Sequence, residues 1–376
     1  MTRFKINIKE LEKLFSHFQD DGYTIVGPMI KDQAIVYDEL NSINDLPIGW
    51  TDEQGPGIYR LKKREDKALF GYNVGPHSWK KYLFPSRRKL WEAKRNEEGI
   101  TFKTESTEAK KLVFLGIRSC EIEAIFIQDK VFLEGQFVDP YYKNQRDNTL
   151  MITVNCTQAG PTCFCQSMNT GPETKRGFDL SLTEIINEKE HYFVVEVGSE
   201  KGQAYLNNIE TTPCETAEMN AAREGINNAR EQMKQGLGID TTDINKMLYR
   251  NMESPQWDKV ADRCLSCANC TLVCPTCFCS DTEDITDLTG DHTERWKSWD
   301  SCFNQDHSHV HGGAVRDSTK SRYRQWMTHK LGSWIDQFGS SGCVGCGRCV
   351  TWCPVGIDIR EEVAALRLKD ESEEDK

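Results

Sequence analysis

Eight cysteines in the last third of this 376-residue chain are spaced as ligands of two iron-sulfur clusters would be. They form two runs of the pattern C-x2-C-x2-C-x3-C-P, namely Cys264, Cys267, Cys270 and Cys274, then Cys343, Cys346, Cys349 and Cys353. Three thiolates on a tight loop can surround a 4Fe-4S cluster, and the fourth can reach across to a second cluster. Zinc also accepts four sulfurs, but zinc does not explain this spacing with its trailing proline.

The order of the two runs predicts which sulfurs share a cluster. The spacing is that of bacterial two-cluster ferredoxins, in which the fourth cysteine of each run ligates the other cluster. One predicted 4Fe-4S cluster is therefore held by Cys264, Cys267, Cys270 and Cys353. The other is held by Cys274, Cys343, Cys346 and Cys349. Arg348, inside the second run, either raises the potential of its neighbouring cluster or is a solvated side chain on a ligand loop.

Four cysteines nearer the amino terminus number what a third cluster needs: Cys120, Cys156, Cys163 and Cys165. Two of them follow predicted strands, and the other two lie in a loop with proline and glycine that can fold back over the first pair. The sequence predicts a third 4Fe-4S cluster at this place. A four-thiolate zinc site and free thiols remain alternatives, because zinc accepts the same ligand set.

An eleven-residue segment occurs twice in the chain, as NCTQAGPTCFC over Asn155–Cys165 and as NCTLVCPTCFC over Asn269–Cys279. Eight positions are identical, and Gly160 of the first copy stands where the second has Cys274. We interpret both copies as loops that present sulfurs to iron. The difference at this position indicates that the two copies use their sulfurs differently.

The remaining cysteines and a histidine tract have weaker signals. Cys277, Cys279 and Cys302 either anchor a further cluster or pack beside the others, and packing is the simpler interpretation because three residues leave a cluster one ligand short. Cys214 is interpreted as a small apolar residue. The alternating histidines of His307–His311 form either a metal site or a polar loop against a partner, and the loop is favoured because no carboxylate or cysteine is spaced to complete a site.

The elements that must position the first four cysteines can be predicted from apolar runs. Leu112–Ile117 and Leu150–Asn155 are typical of buried strands, and Glu121–Phe132 between them has helical spacing. Such a β-α-β unit makes the two strands parallel. Cys120 and Cys156 then emerge at the carboxyl edge of one sheet, where ligands usually bind.

The pattern as a whole predicts an α+β protein. An irregular α/β domain is expected over residues 1–205, with a further strand at 191–199, followed by a helical connector over 206–255. A carboxyl-terminal helical domain of the two-cluster ferredoxin type is expected over 256–368. The acidic tail, 369–376, is expected to be solvated and frayed.

Composition excludes several classes of protein. The net charge of -11 argues against a nucleic-acid binder, so the basic and aromatic stretch 77–91 is interpreted as a protein-binding face or a solvated surface. No apolar run is long enough to span a bilayer, and the first 18 residues resemble an amphipathic helix rather than a signal peptide, which indicates a cytoplasmic protein. No phosphate loop, dinucleotide fingerprint or nucleophile-base pair is present, so no catalytic residue is predicted.

Five segments resemble a known family: GIRSCEIEAI, NCTQAGPTCFC, CLSCANCTLVCPTCFC, RYRQWMTHKLGSWIDQFG and GCVGCGRCVTWCPVGIDI. The family is the beta subunit of soluble sulfhydrogenase-type NiFe hydrogenases, which is similar to the A subunit of anaerobic sulfite reductase. The resemblance covers most of the chain. The His307–His311 tract is not part of the family pattern.

The resemblance implies a non-catalytic electron-transfer subunit of an oxidoreductase complex. Its partners would be a flavin subunit that binds NAD(P)H and a catalytic hydrogenase or reductase subunit with its small subunit. Two alternatives remain open: a subunit of a sulfite reductase or another sulfur-compound reductase, and a self-contained reductase that uses the amino-terminal cluster as its substrate site. A cluster ligated by four cysteines has no open iron for a substrate, which favours electron transfer.

Overall fold

The computed structural model describes residues 3–374, and of residues 371–374 it describes the backbone alone. The α-helices are α1 (Ile8–Asp20), α2 (Lys80–Leu83), α3 (Ser119–Phe132), α4 (Pro140–Asp147), α5 (Glu200–Leu206), α6 (Thr216–Gln235), α7 (Ile244–Arg250), α8 (Gln256–Ala261), α9 (Asn269–Leu272), α10 (Thr319–Thr328), α11 (Trp334–Phe338), α12 (Arg348–Thr351) and α13 (Ile359–Glu374). Short 3-10 helices lie at Ile43–Asp45 and Asp306–Ser308, and a π-helical turn lies at His329–Ser333.

The strands are β1 (Arg3–Asn7), β2 (Thr24–Lys31), β3 (Ala34–Glu39), β4 (Trp50–Gly55), β5 (Ile58–Lys63), β6 (Arg87–Asn96), β7 (Gly99–Thr104), β8 (Leu112–Ile117), β9 (Thr149–Val154), β10 (Leu180–Ile186), β11 (His191–Val197), β12 (Thr212–Pro213), β13 (Ser280–Thr286), β14 (His292–Trp299), β15 (His309–Val310) and β16 (Gly313–Ala314). Eight of them form one sheet in the order β12-β1-β11-β10-β9-β8-β2-β3. Its centre, β10-β9-β8-β2, is parallel, and its two sides are antiparallel.

The predicted β-α-β unit is confirmed. Strands β8 and β9 are parallel neighbours, and α3 connects them through the short helix α4. Every residue of both strands is buried, as expected for parallel strands covered on both faces. Cys120 in the first turn of α3 and Cys156 just after β9 therefore lie at the same edge of the sheet. The predicted mixed α and β fold is confirmed, whereas the domain boundaries stay predictions.

Both ends of the chain differ from expectation. The start was expected to be one helix, but residues 3–7 form strand β1, which pairs with β11, and α1 follows. The acidic tail was expected to fray from residue 369, but α13 continues to Glu374. Asp370 accepts a hydrogen bond from Asn251 at 2.9 Å, which ties this turn of the helix to the protein. Residues 1–2 and 375–376 lie outside the described residues.

A second sheet joins distant parts of the sequence. Its order is β13-β14-β6-β7, and every pair is antiparallel. The hairpin β6–β7 comes from the first part of the chain, and the hairpin β13–β14 lies between the two cysteine runs. The inserted hairpin therefore binds the cysteine-rich region to the α/β region through main-chain hydrogen bonds.

The carboxyl-terminal region packs helices around an apolar core. Trp257, Trp326 and Leu331 are almost fully buried in it, and Cys343 lies in the same core. The predicted helix over 320–339 is confirmed as α10, the π-helical turn and α11, and it ends at Gly339 with a positive φ of 67°. A π-helical turn inside a helix frequently marks a functional position.

The second cysteine run is interlocked with the PTCFC loop of the first part of the chain. The Phe164 N–H donates a hydrogen bond to the Gly345 carbonyl at 2.9 Å. A Cβ on Gly345 would lie 2.6 Å from the Phe164 carbonyl carbon, and Gly345 has a φ of +64°. Glycine is needed here for both its conformation and its lack of a side chain.

Gly345→Ala should therefore destabilise the protein more than Gly339→Ala. Both residues have left-handed backbones, which cost an alanine about 1–2 kcal/mol, but a Cβ on Gly339 would meet nothing within 4 Å. Thermal unfolding of both variants measures the difference. Equal losses in melting temperature would mean that the close contact at Gly345 is relieved without cost.

Candidate iron-sulfur sites

One predicted ligand set lines a single cavity near the surface. We call it the outer group, and its members are Cys264, Cys267, Cys270 and Cys353. Aromatic and aliphatic side chains, including Phe303, Tyr323 and Trp326, form the walls, and Cys267 is exposed. Backbone N–H groups point at two of the sulfurs: Ser266 N–H to Cys264 at 3.4 Å, and Ile357 N–H to Cys353 at 3.3 Å.

The second predicted set also comes together, deeper in the protein. We call it the middle group, and its members are Cys274, Cys343, Cys346 and Cys349. Burial raises the pKa of the Cys349 thiol well above its usual value, and the sulfurs of the other three members raise it further. The Gly345 N–H donates to the Cys343 sulfur at 3.4 Å. Four buried sulfurs this close to one another favour a shared ligand that takes them as thiolates.

A buried ammonium lies against the middle group. Lys330 Nζ is 3.2 Å from the Cys274 sulfur and also donates to the Thr276 hydroxyl at 3.1 Å. Burial lowers the pKa of Lys330, but the sulfurs of Cys274 and Cys277 outweigh burial, so that its pKa is raised well above the ordinary value. Lys330 therefore places a positive charge beside a predicted ligand, and nothing in the sequence alone marked it.

The third predicted set lines a second cavity, at the edge of the large sheet. We call it the amino-terminal group, and its members are Cys120, Cys156, Cys163 and Cys165. Burial raises the pKa of Cys163 to about 12. Burial also raises the pKa of Cys156, while the Arg118 guanidinium beside it opposes the rise. The four thiols thus surround one space with a fixed cation at its side.

The missing sulfur of the first NCT repeat has a steric reason. A Cβ on Gly160 would lie 3.2 Å from the side chain of Asn73. Asn73 is itself held by Asp52, which accepts its backbone N–H at 2.6 Å and its side-chain amide at 3.2 Å. A cysteine at position 160 would therefore have to displace a fixed neighbour.

The three groups follow one another in space. Cys346 of the middle group also lines the cavity of the amino-terminal group. Cys349 of the middle group also lines the cavity of the outer group. The middle group therefore lies between the other two, and the order is amino-terminal, middle, outer.

The sulfur spacing fits clusters better than single zinc ions. Tetrahedral zinc with sulfurs at about 2.3 Å would hold them about 3.8 Å apart. Among the side chains of residues 3–370, the only three possible metal ligands whose ligand atoms lie within 4.8 Å of one another are Glu92, His292 and Glu294. No trio of cysteines meets this limit, and thiolates bound to separate irons of a cluster stand farther apart than thiolates on one ion.

Buried cations near the sulfurs also fit an anionic group. Nη1 of Arg348 and Nε of Arg118 are buried and have no hydrogen-bond partner in the described part of the chain. Arg118 lies against Cys156, and Arg348 lies against Cys346. Unpaired buried cationic nitrogen atoms are costly, and thiolate ligands nearby would reduce that cost.

Arg348 forms a buried ion pair rather than a solvated contact, so the solvated alternative is wrong. Its Nη2 donates to the Glu121 carboxylate, and its Nε donates to the Gly75 carbonyl at 2.8 Å. Glu121 also accepts hydrogen bonds from the Tyr37 hydroxyl at 2.8 Å and the Trp79 indole at 3.0 Å. Because Glu121 neutralises Arg348, the charge of Arg348 has a smaller effect on the Cys346 sulfur than the charge of Lys330 has on the Cys274 sulfur.

Cys277 has a different nearest sulfur from Cys279 and Cys302. Cys277 lies against Cys274 and Lys330, with Lys330 Nζ 3.5 Å from its sulfur. Cys279 lies instead against Cys302, to which it is hydrogen bonded. Whether any of them binds metal stays an open prediction. Cys214 packs beside Tyr192, Val194 and Ala222, in agreement with its predicted apolar role.

The predictions for the histidine tract, His307–His311, and for the basic stretch 77–91 compare differently with the structure. His307 contacts the Asp300 carboxylate, while His309 and His311 are exposed and belong to no ligand trio among the side chains of residues 3–370. The stretch 77–91 was expected on the surface, but Trp79 and Lys80 are buried. This expectation is wrong for its first part because the Trp79 ring stacks on Tyr37 and donates to Glu121.

The Glu92, His292 and Glu294 trio is already occupied by a cation. Lys89 Nζ lies 3.1 Å from Glu92 and 3.2 Å from Glu294, in the middle of the second sheet. The Lys89 ammonium therefore takes the place that a metal ion would need. The sequence did not indicate this trio, because its members meet only when β6 and β14 pair.

Comparisons with known proteins agree with this arrangement. The family described as "4Fe-4S dicluster domain" matches residues 263–357. The chain is 29% identical over 364 residues to "Sulfhydrogenase 2 subunit beta" of Pyrococcus furiosus, covering 95% of this chain and 96% of that protein. No solved structure matches significantly. The resemblance predicted from the motifs is therefore confirmed, and so is a 4Fe-4S dicluster domain in the last third of the chain.

Cys163→Ser should remove one cluster and leave two. A chain with three 4Fe-4S clusters holds about twelve irons, and the variant should hold about eight. Cys214→Ser is the matched control and should keep all the iron. Equal iron in both variants would contradict ligation by Cys163, and zinc in place of iron would exclude the third cluster.

Lys330→Met should lower the reduction potential of one cluster. At an effective dielectric constant of about 20, a charge about 7 Å away contributes about 2 kcal/mol, which corresponds to about 100 mV for one electron. Potentials of the reconstituted protein are measured by redox titration with electron paramagnetic resonance. Lys330→Arg keeps the charge and should change little, and an unchanged potential in Lys330→Met would show that the charge has no such effect.

Proposed function

We propose that this chain, a sulfhydrogenase beta-type subunit by its similarity, relays electrons through three 4Fe-4S clusters in a multisubunit oxidoreductase. The proposal assigns one cluster to each of the amino-terminal, middle and outer groups. Iron-sulfur clusters supply one-electron transfer when bound. The observation that carries the proposal is the spatial order of the groups. One-electron sites that follow one another in space form an electron-transfer path rather than a site of substrate conversion.

The protein's own residues support a relay in three ways. Apolar walls shield the outer group from water except at the exposed Cys267, and backbone N–H groups at Cys264, Cys343 and Cys353 would stabilise their thiolate forms. Lys330 favours the reduced state of the middle group through its charge. The interlocked loops of Phe164 and Gly345 fix the amino-terminal group against the middle group.

The two ends of the relay differ in exposure, which suggests where a partner approaches. Cys267 of the outer group is the one exposed cysteine among the described residues. Leu265 and Val355 line the same cavity and are 63% and 39% exposed. We infer that the outer group exchanges electrons with another subunit at this face.

The proposed partners are a flavin subunit that binds NAD(P)H and a catalytic hydrogenase or reductase subunit. A cytoplasmic location stays a prediction from the sequence. Within residues 3–374, no helix is long and apolar enough to cross a membrane. The self-contained reductase is less well supported, because the cavities at the outer and amino-terminal groups are small and apolar and a cluster ligated by four cysteines has no open iron for a substrate.

The proposal is tested with the isolated chain and with the native complex. The anaerobically reconstituted chain should accept electrons from dithionite, yet it should not oxidise NAD(P)H or reduce sulfite or polysulfide. Affinity purification of the tagged chain from its own cells should co-purify a subunit with a flavin absorption spectrum and NAD(P)H-oxidising activity. Turnover by the isolated chain, or a complex without flavin, would contradict the proposal.

A further inference from the structure

Two cysteines outside the three groups form a close pair at the base of the β13–β14 hairpin. Cys279 precedes β13 and Asp300 follows β14, and the Asp300 N–H donates to the Cys279 carbonyl at 2.9 Å. Two residues later, the thiol and the backbone N–H of Cys302 contact the Cys279 sulfur. The hairpin register therefore holds the two sulfurs in contact, and both are free thiols.

The pair lies beside two of the cysteine groups. Cys302 packs on the same apolar core as the outer group, and the Cys270 sulfur acts on it electrostatically. The Lys330 ammonium, which contacts Cys274 of the middle group, also acts on Cys279 and Cys302. Electrons held at either group are thus close to the pair.

We propose that Cys279 and Cys302 form a reversible disulfide that takes up two electrons from the relay. This inference rests on the proposed function, which supplies the electrons one at a time from the outer and middle groups. Reduction breaks the bond between the two sulfurs: two electrons and one proton from water give a Cys279 thiolate and a Cys302 thiol. In the reverse direction the sulfurs bond, two electrons return to the two groups, and the proton leaves to water.

The surroundings favour the thiolate form of Cys279. A hydrogen bond from Cys302 and the nearby His307 outweigh burial and hold the pKa of Cys279 at about 6. The same contact raises the pKa of Cys302, which therefore keeps its proton. A thiolate and a thiol in contact are the reactants that a disulfide needs, because the thiolate is the reactive form of cysteine.

A metal site explains the pair less well. Cys277 would be the obvious third ligand, but its sulfur lies at Cys274 and Lys330. His307 is held by the Asp300 carboxylate, and two sulfurs leave a 4Fe-4S cluster two ligands short. A two-electron store beside one-electron clusters suits a subunit whose donor gives electrons in pairs, as a hydride donor does.

The test counts the electrons that the whole reconstituted chain accepts. Protein oxidised with thionine is titrated with dithionite, and iron content and the spin signal of the clusters are measured in the same sample. The wild-type chain should accept two more electrons than Cys279→Ser and Cys302→Ser, while all three hold the same iron. Cys214→Ser, which changes a cysteine outside the pair, should accept as many electrons as the wild type.

Peptide mapping gives an independent readout that does not depend on the variants. After thiols are blocked with iodoacetamide, oxidised wild-type protein should yield one linked peptide with Cys279 and Cys302, and reduced protein two alkylated peptides. Equal electron uptake in wild type and Cys279→Ser, or no linked peptide, would overturn the disulfide. About four fewer irons in Cys279→Ser would overturn it in favour of a metal ligand. A chain without clusters would instead contradict the proposed function, which iron analysis detects separately.

Discussion

The buried ion pair between Glu121 and Arg348 is the contact on which the relative positions of the cysteine groups depend. Glu121 follows Cys120, and Arg348 stands between Cys346 and Cys349. Both side chains are almost completely buried. Breaking a buried ion pair by removing one partner costs about 3–5 kcal/mol because the other charge is left uncompensated. The pair therefore ties the amino-terminal and middle groups together and also makes each half of the chain dependent on the other.

The buried positive charges around the cysteine groups favour negatively charged ligands there. Arg118, Arg348 and Lys330 are buried beside cysteines, and Lys80 is buried with its ammonium 3.2 Å from the Cys277 carbonyl. Among these, Arg348 has a carboxylate partner, so the cations outnumber the carboxylates close to the sulfurs. Cysteine thiolates would neutralise this excess of positive charge. A protein with a net charge of -11 thus keeps positive charge beside its cysteine groups, where it would stabilise thiolates and any electrons added to the proposed clusters.

The sequence predicts features that depend on residues close together in the chain, but not contacts between residues that are far apart in it. Spacing within loops predicted the outer and middle groups. Apolar runs predicted the helix ending at Gly339 and the β-α-β unit that brings Cys120 and Cys156 together, because both kinds of signal are local. The contacts of Lys330, the partner of Arg348 and the burial of Lys80 join residues far apart in the chain, so no local pattern marks them. Cys277 and Cys279 show the same limit, since two neighbours in one motif contact different partners.

The second sheet has a consequence for how the protein is made. Strand β6 can pair with β14 only after about 190 further residues have been synthesised, which takes a ribosome about 10–40 s. During that interval the first hairpin has an unpaired edge, and the amino-terminal cysteines lack the second cysteine run that later covers them. For the proposed amino-terminal cluster, the delay would leave a period in which iron and sulfide can reach Cys120 and Cys156 before the rest of the chain closes over them.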